Sequence, residues 1–184
     1  KVVVGVTGAT VNDGNSGGNY AVSYVNNTNS TITAKALSIS GITADNKVYD
    51  GSKTATVSTA GASFDGLVSG DKVTVAATGS FGDKNVANGK TVTLASTNGG
   101  ADAGNYTITN QATTTASITP KTLTVSQITA ADKVYDGTAA ANVVTGSVQY
   151  TGLVVNDDVK LTASSGVFGN KNAGNGKSVL LSNT

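Results

Sequence analysis

Lys121-Thr122-Leu123-Thr124-Val125 alternates apolar and hydroxylated residues, and Lys35-Ala36-Leu37-Ser38-Ile39 keeps the same apolar positions. A period of two puts Leu with Val or Ile on one face and Thr or Ser on the other, the pattern of a half-buried strand. Val73-Thr74-Val75, Val92-Thr93-Leu94, Tyr106-Thr107-Ile108 and Ala116-Ser117-Ile118 repeat that period. Turn signals separate these runs at Asp50-Gly51, Asp65-Gly66, Ser69-Gly70-Asp71, Asn88-Gly89 and Asn98-Gly99-Gly100. Asn-Gly and Asp-Gly favour the positive φ of tight hairpin turns, so Asn88-Gly89-Lys90 and Asn175-Gly176-Lys177 are predicted hairpin tips.

The two Lys-x-Leu stretches lie in one long internal repeat. Lys47-Val48-Tyr49-Asp50-Gly51 returns as Lys133-Val134-Tyr135-Asp136-Gly137, and Gly18-Asn19-Tyr20 returns as Gly104-Asn105-Tyr106, both shifted by 86 residues (133 − 47 and 104 − 18). Ile32, Lys35, Leu37 and Ile42 map onto Ile118, Lys121, Leu123 and Ile128 by the same shift. Near-copies at a fixed period read as a tandem array of one domain. The expected organisation is the C-terminal half of a repeat in residues 1–34, one complete repeat in 35–120 and the N-terminal part of a third in 121–184, an excerpt from a longer array. The one proline, Pro120, falls at a junction, where its fixed φ stiffens the link.

Composition narrows the chemistry. The chain has no Cys, His, Met or Trp; its 12 basic residues are all Lys and its 11 acidic residues all Asp. Without thiol or imidazole it lacks the usual nucleophile–base pairs and the soft ligands of zinc, copper and iron, so no enzyme is expected. A net charge of +1 without Arg excludes a nucleic-acid interface built on phosphate neutralisation. No apolar run reaches the roughly 18 residues that cross a bilayer, so no membrane insertion is expected. Scarce helix formers and abundant Thr, Val, Ser, Asn and Gly point to an all-β chain, with about seven short strands per repeat as in an immunoglobulin-like β-sandwich. A small β-grasp-like module is the alternative; it needs a helix, and Phe64–Gly70, the one place for it, holds two glycines.

Asp102-Ala103-Gly104-Asn105-Tyr106 has the Asp-x-Gly-x-Tyr form of a tyrosine corner, in which the Tyr hydroxyl ties back to the backbone at the entry to a late strand. The earlier copy keeps Gly18 and Tyr20 but has Ser16 in place of the Asp.

Lys-Val-Tyr-Asp-Gly, with Gly-Asn-Tyr-Thr-Ile-Thr and Ala-Ser-Ile-Thr-Pro-Lys in residues 104–121, resembles the YDG-type repeats of large bacterial surface adhesins, which are related to their MBG domains. Such proteins are similar to filamentous-haemagglutinin-like exoproteins. The resemblance implies an extracellular, cell-surface location and a mechanical role as a stalk supporting adhesion or biofilm formation, with neighbouring repeats of the same chain as partners. It names no catalytic residue.

Lys47, Tyr49, Asp50 and Gly51, with Lys133, Tyr135, Asp136 and Gly137, are the candidate site because the run is intact in both copies. The favoured reading is structural: the Asp side chain accepts a backbone N–H and the Gly takes positive φ. Ligand binding is the second reading, and a Lys-to-Asn isopeptide cross-link assisted by Asp the third. Asp and Asn in the loops 12–15, 82–85 and 99–102 raise weak calcium binding, although no run matches an EF-hand and one Asp per loop supplies little charge. No other cofactor is expected. Asn26-Asn27-Thr28, Asn29-Ser30-Thr31 and Asn105-Tyr106-Thr107 are sequons that arise readily in so Asn- and Thr-rich a chain. A rival to the stalk is multivalent binding of polysaccharide or host glycans, against which stands the paucity of aromatic platforms, six Tyr and three Phe.

Overall fold

The computed structural model describes residues 11–21, 23, 25, 28–161 and 165–182; Asn26 and Asn27 of the first sequon lie outside them. The fold is all-β and sandwich-like. Its strands are β1 Lys35–Ser40, β2 Thr43–Ala44, β3 Lys47–Val48, β4 Thr54–Ala55, β5 Val57–Ser58, β6 Ser63–Asp65, β7 Thr74–Phe81, β8 Ala87–Gly99, β9 Tyr106–Thr109 and β10 Thr113–Thr119. They continue as β11 Thr124–Ser126, β12 Thr129–Ala130, β13 Ala140–Ala141, β14 Val143–Val144, β15 Gln149–Thr151, β16 Ser165–Phe168 and β17 Val179–Ser182. Residues 35–120 therefore hold ten strands (β1–β10) where about seven are expected, the segment 43–58 alone forming four two-residue strands. Phe64–Gly70 forms no helix; among the described residues the one helical element is the 3-10 turn Ala103–Asn105. No helix is long and apolar enough to cross a membrane among the described residues.

Two compact units divide the chain, and neither is continuous in sequence. One comprises the described residues up to Gly41 with Ala62–Ala76 and Thr97–Gln111; the other comprises Ile42–Gly61, Ala77–Ser96 and the described part of Ala112–Thr184. Residues 35–120 contribute to both, so the sequence period and the compact units mark different boundaries.

In the first unit, β1 lies between β6 and β9. Its pairing with β6 is antiparallel, Ile39 opposite Phe64, and its pairing with β9 is parallel, Leu37 opposite Ile108. The alternation in Lys35–Ser40 buries Leu37 and Ile39 and leaves Lys35, Ala36 and Ser38 exposed. Leu37, Val73 and Tyr106 form the core, with Phe64, Leu67, Ala103 and Ile108 packed on it.

The second unit contains β3, β4 and β10 with the greater part of β7 and β8, which together make the sheet β3-β10-β8-β7-β4, and the short pair β2-β5. Val92 and Leu94 of β8, Ala116 and Ile118 of β10, and Ile42, Ala55 and Phe81 are buried. Asn88-Gly89 is not a hairpin tip. The pair sits inside β8, where the register against β10 slips between Ala116↔Lys90 and Ile118↔Ala87, and Gly89 at φ +59° donates its N–H to Ser117 Oγ. The Asn-Gly pair serves a β-bulge, which needs the same left-handed glycine as a turn. The β7–β8 connection lies instead at 82–86, while Asn175-Gly176 does fall in the connection between β16 and β17.

Three pairings recur one period later. Ile39↔Phe64 returns as Val125↔Tyr150, Ala44↔Val57 as Ala130↔Val143, and, after one inserted residue on the second strand, Ala55↔Gly79 as Ala141↔Gly166. The second copy is more open: Val125 is exposed where Ile39 is buried, and β11 starts at Thr124 rather than at Lys121.

Candidate functional site

Lys47 ends its side chain in a ring of oxygens. Its Nζ donates to Asp50 Oδ1 at 2.8 Å, Ser52 O at 2.9 Å, and Ser52 Oγ and Thr54 O, both at 3.0 Å. Asp50 Oδ1 also accepts the Ser52 N–H at 2.8 Å, closing the Asx turn, and Gly51 takes φ +79°. The Lys47 ammonium lies 5.5 Å from the centroid of the buried Phe81 ring. The motif is a button: a lysine reaches across its own turn and is held by side-chain and carbonyl oxygens. Lys133 repeats it with Asp136 Oδ1 at 2.8 Å, Thr138 O and Oγ1 at 3.0 Å, and Phe168 at 5.9 Å, while Gly137 takes φ +81°. The partners of both ammonium groups include no Asn, the residue an isopeptide bond requires.

The hydrogen bond from Lys47, followed by that from the Ser52 N–H, holds the Asp50 carboxyl down to about 2, and Lys133 with the Thr138 N–H does the same to Asp136. A carboxyl depressed on folding stabilises the fold above its unfolded value of about 4, and that contribution is lost as pH falls through the folded value. The melting temperature should therefore stay level from neutrality to about pH 4 and decline from there toward about pH 2. Asp50→Asn with Asp136→Asn should lower it at neutral pH and flatten the acid decline. Thermal melts by circular dichroism across this range test it, and an unchanged acid limb in the double variant would refute it.

The Tyr106 hydroxyl accepts the Val68 N–H at 3.0 Å and donates to Asp71 Oδ2 at 2.5 Å, which raises its pKa. Asp102 does not touch the hydroxyl. It accepts the Lys72 N–H at 2.8 Å and returns its own N–H to the Lys72 carbonyl at 3.1 Å, while Gly104 lies in the 3-10 turn leading into β9. Tyr20 is 66 % exposed, and Gly18 sits in a separate turn in which Asp13 accepts the N–H groups of Asn15, Gly17 and Asn19.

The loop carboxylates raised as calcium ligands are already engaged: Asp13 by those N–H groups, Asp83 by the Asn85 N–H and Lys90, Asp102 by Lys72. Among the described residues no three carboxylates gather to hold a metal.

One contact escaped the sequence reading. The Tyr49 hydroxyl reaches Asp157 Oδ1 at 3.0 Å and Oδ2 at 2.8 Å, and Lys84 Nζ reaches Asp157 Oδ1 at 3.0 Å. Lys84 also stands 5.8 Å from the Tyr49 ring centroid. A Cβ on Gly51 would lie 2.7 Å from Val154 Cγ1. The Tyr-Asp-Gly of one repeat thus meets the Leu153–Asp157 loop of the next within the second unit. Tyr49 and Lys84 hold the Asp157 carboxyl low, and Asp157 in turn raises the Lys84 ammonium. The sequence signal available was that Asp157 repeats Asp71 at the 86-residue period.

A family model described as YDG domain matches residues 33–116 and again 119–184. No curated protein and no solved structure gives a significant match to the chain.

Proposed function

The chain belongs to the YDG domain family, and from that premise we propose that it is a structural spacer in a bacterial cell-surface adhesin, extracellular, projecting an adhesive element and doing no chemistry. The observation that supports this reading is the clasp of Tyr49 and Lys84 on Asp157, with Gly51 against Val154. It joins consecutive repeats through side chains as well as through the covalent link. A spacer transmits length and force only if its modules resist hinging, and a buttressed junction supplies that resistance where a free linker would not. The Lys47 and Lys133 buttons have the same tenor, since each spends its charge on its own turn.

If repeats add end to end, scattering from chains of increasing copy number should show the maximum dimension growing in constant steps. β7 has eight residues, and strands of that length at roughly 3.3 Å per residue give a step on the order of 30–40 Å with end loops. Growth that stops after two repeats would defeat the spacer reading. A glycan array on the same series separates the rival, because affinity that climbs steeply with copy number belongs to a multivalent binder.

A further inference from the structure

Tension across residues 35–120 enters through β1 and leaves through β10, the strand that ends at Thr119 before Pro120. Both strands are held by parallel pairings. In the first unit β1 lies alongside β9 over Lys35↔Tyr106, Ala36↔Thr107, Leu37↔Ile108 and Ser38↔Thr109. In the second unit the end of β10 lies alongside β3, Ile118↔Lys47 and Thr119↔Val48, and the Thr119 carbonyl accepts the Tyr49 N–H at 2.9 Å. The Lys-Val-Tyr of the repeated motif is thus the backbone that holds the departing strand.

Direction decides what such pairings resist. A parallel pair pulled by the N-terminus of one strand and the C-terminus of the other is loaded along its length, so its ladder bonds share the load and fail together. Pulled apart from two ends on the same side, the same bonds fail one after another. Tension on β1 acts at Lys35 and tension on β9 acts beyond Thr109, which is the first case. β10 and β3 are loaded the same way, since β10 is drawn from Thr119 while β3 is held back by the chain that leads to it from β1. Side chains oppose the sliding as well. Leu37 of β1 and Ile118 of β10 are buried, and Tyr106 at the start of β9 is pinned through its hydroxyl to the Val68 N–H and to Asp71. β1 also carries β6 on its other edge, so its withdrawal must break that pairing too.

We propose that the β1–β9 and β3–β10 pairs are shear clamps that make the repeat resist unfolding under end-to-end tension, with Tyr106 as the anchor that keeps β9 from sliding. Forced unfolding is governed by the height of a barrier and not by overall stability, so a small core is compatible with a strong module. The value of the clamps to the protein rests on the spacer role; their strength rests on the pairing alone.

The chain has no native cysteine, so two introduced cysteines fix the points of pull in an optical trap. Ala34→Cys with Lys121→Cys pulls lengthwise across residues 35–120, whereas Ser40→Cys with Thr109→Cys parts β1 from β9 at their shared end, and all of these positions are exposed. At one loading rate the lengthwise pull should need at least about twice the force of the other. Tyr106→Phe keeps the ring and removes the anchor, so it should narrow that ratio by weakening the lengthwise direction more. Urea midpoints by circular dichroism confirm that each cysteine pair leaves the fold intact, and the contrast between directions needs no destabilised variant. Equal forces in the two directions, or a ratio that Tyr106→Phe leaves unchanged, overturn the clamp. A chain that lengthens with copy number but unfolds at equal force keeps the spacer and loses the clamp, while unequal forces in a chain that stops lengthening do the reverse.

Discussion

Gly100→Ala should unfold the first unit at a much lower urea concentration than the parent chain, with a loss on the order of 3 kcal/mol. Two causes combine. Gly100 sits at φ +101°, a left-handed backbone that costs an L-residue about 1–2 kcal/mol. Its Cβ would also lie 2.2 Å from the Lys72 carbonyl oxygen and 2.8 Å from Val73 Cα, both backbone atoms. Relief by moving Lys72 is blocked, because that carbonyl accepts the Asp102 N–H while the Lys72 N–H is held by the Asp102 carboxylate. The turn must open, and with it goes the approach that sets Tyr106 under Val68 and Asp71. Gly70→Ala is the control, since Gly70 has φ +95° and open space around its Cβ. It should lose only about 1–2 kcal/mol. Equal urea midpoints for the two variants would show that the Lys72 approach contributes nothing.

Where sequence and structure agree, the physics is local. Leu37 and Ile39, Val92 and Leu94, and Ala116 and Ile118 are buried because a period of two fixes the face of each side chain whatever the partner strand. The turn at Asp50-Gly51 is equally local: one carboxylate accepts an N–H two residues on, and one glycine supplies the φ. What the residues did not declare is pairing over distance. The same alternation serves a parallel strand as an antiparallel one, so β1 against β9 could not be read from it. Asn88-Gly89 misled because a bulge and a hairpin ask for the same left-handed glycine. The Tyr49 clasp spans 108 residues and uses an Asp that looks like a turn residue in both copies. Periodicity alone hinted at it, by keeping Asp71 and Asp157 in register.

Phe81→Ala should be the most damaging truncation in the second unit, costing about 3–5 kcal/mol. The ring is 2 % exposed at the end of β7, whose last N–H donates to the Lys53 carbonyl at 2.7 Å. That bond ties the ring to the segment carrying Ser52 and Thr54, two of the residues that hold Lys47. Removing the ring leaves a cavity beneath the button and strips the Lys47 ammonium of its aromatic face. Phe81→Leu separates these losses, because leucine refills most of the volume without a π-face. It should cost about 1 kcal/mol, near the level of other volume-conserving core swaps. Phe168→Ala, at the aligned position in the second copy, should cost less than Phe81→Ala, since that ring is only half-buried. Urea titration followed by circular dichroism ranks the three. A leucine variant as unstable as the alanine variant would mean that the lysine–ring contact, and not the filled volume, holds this part of the repeat together.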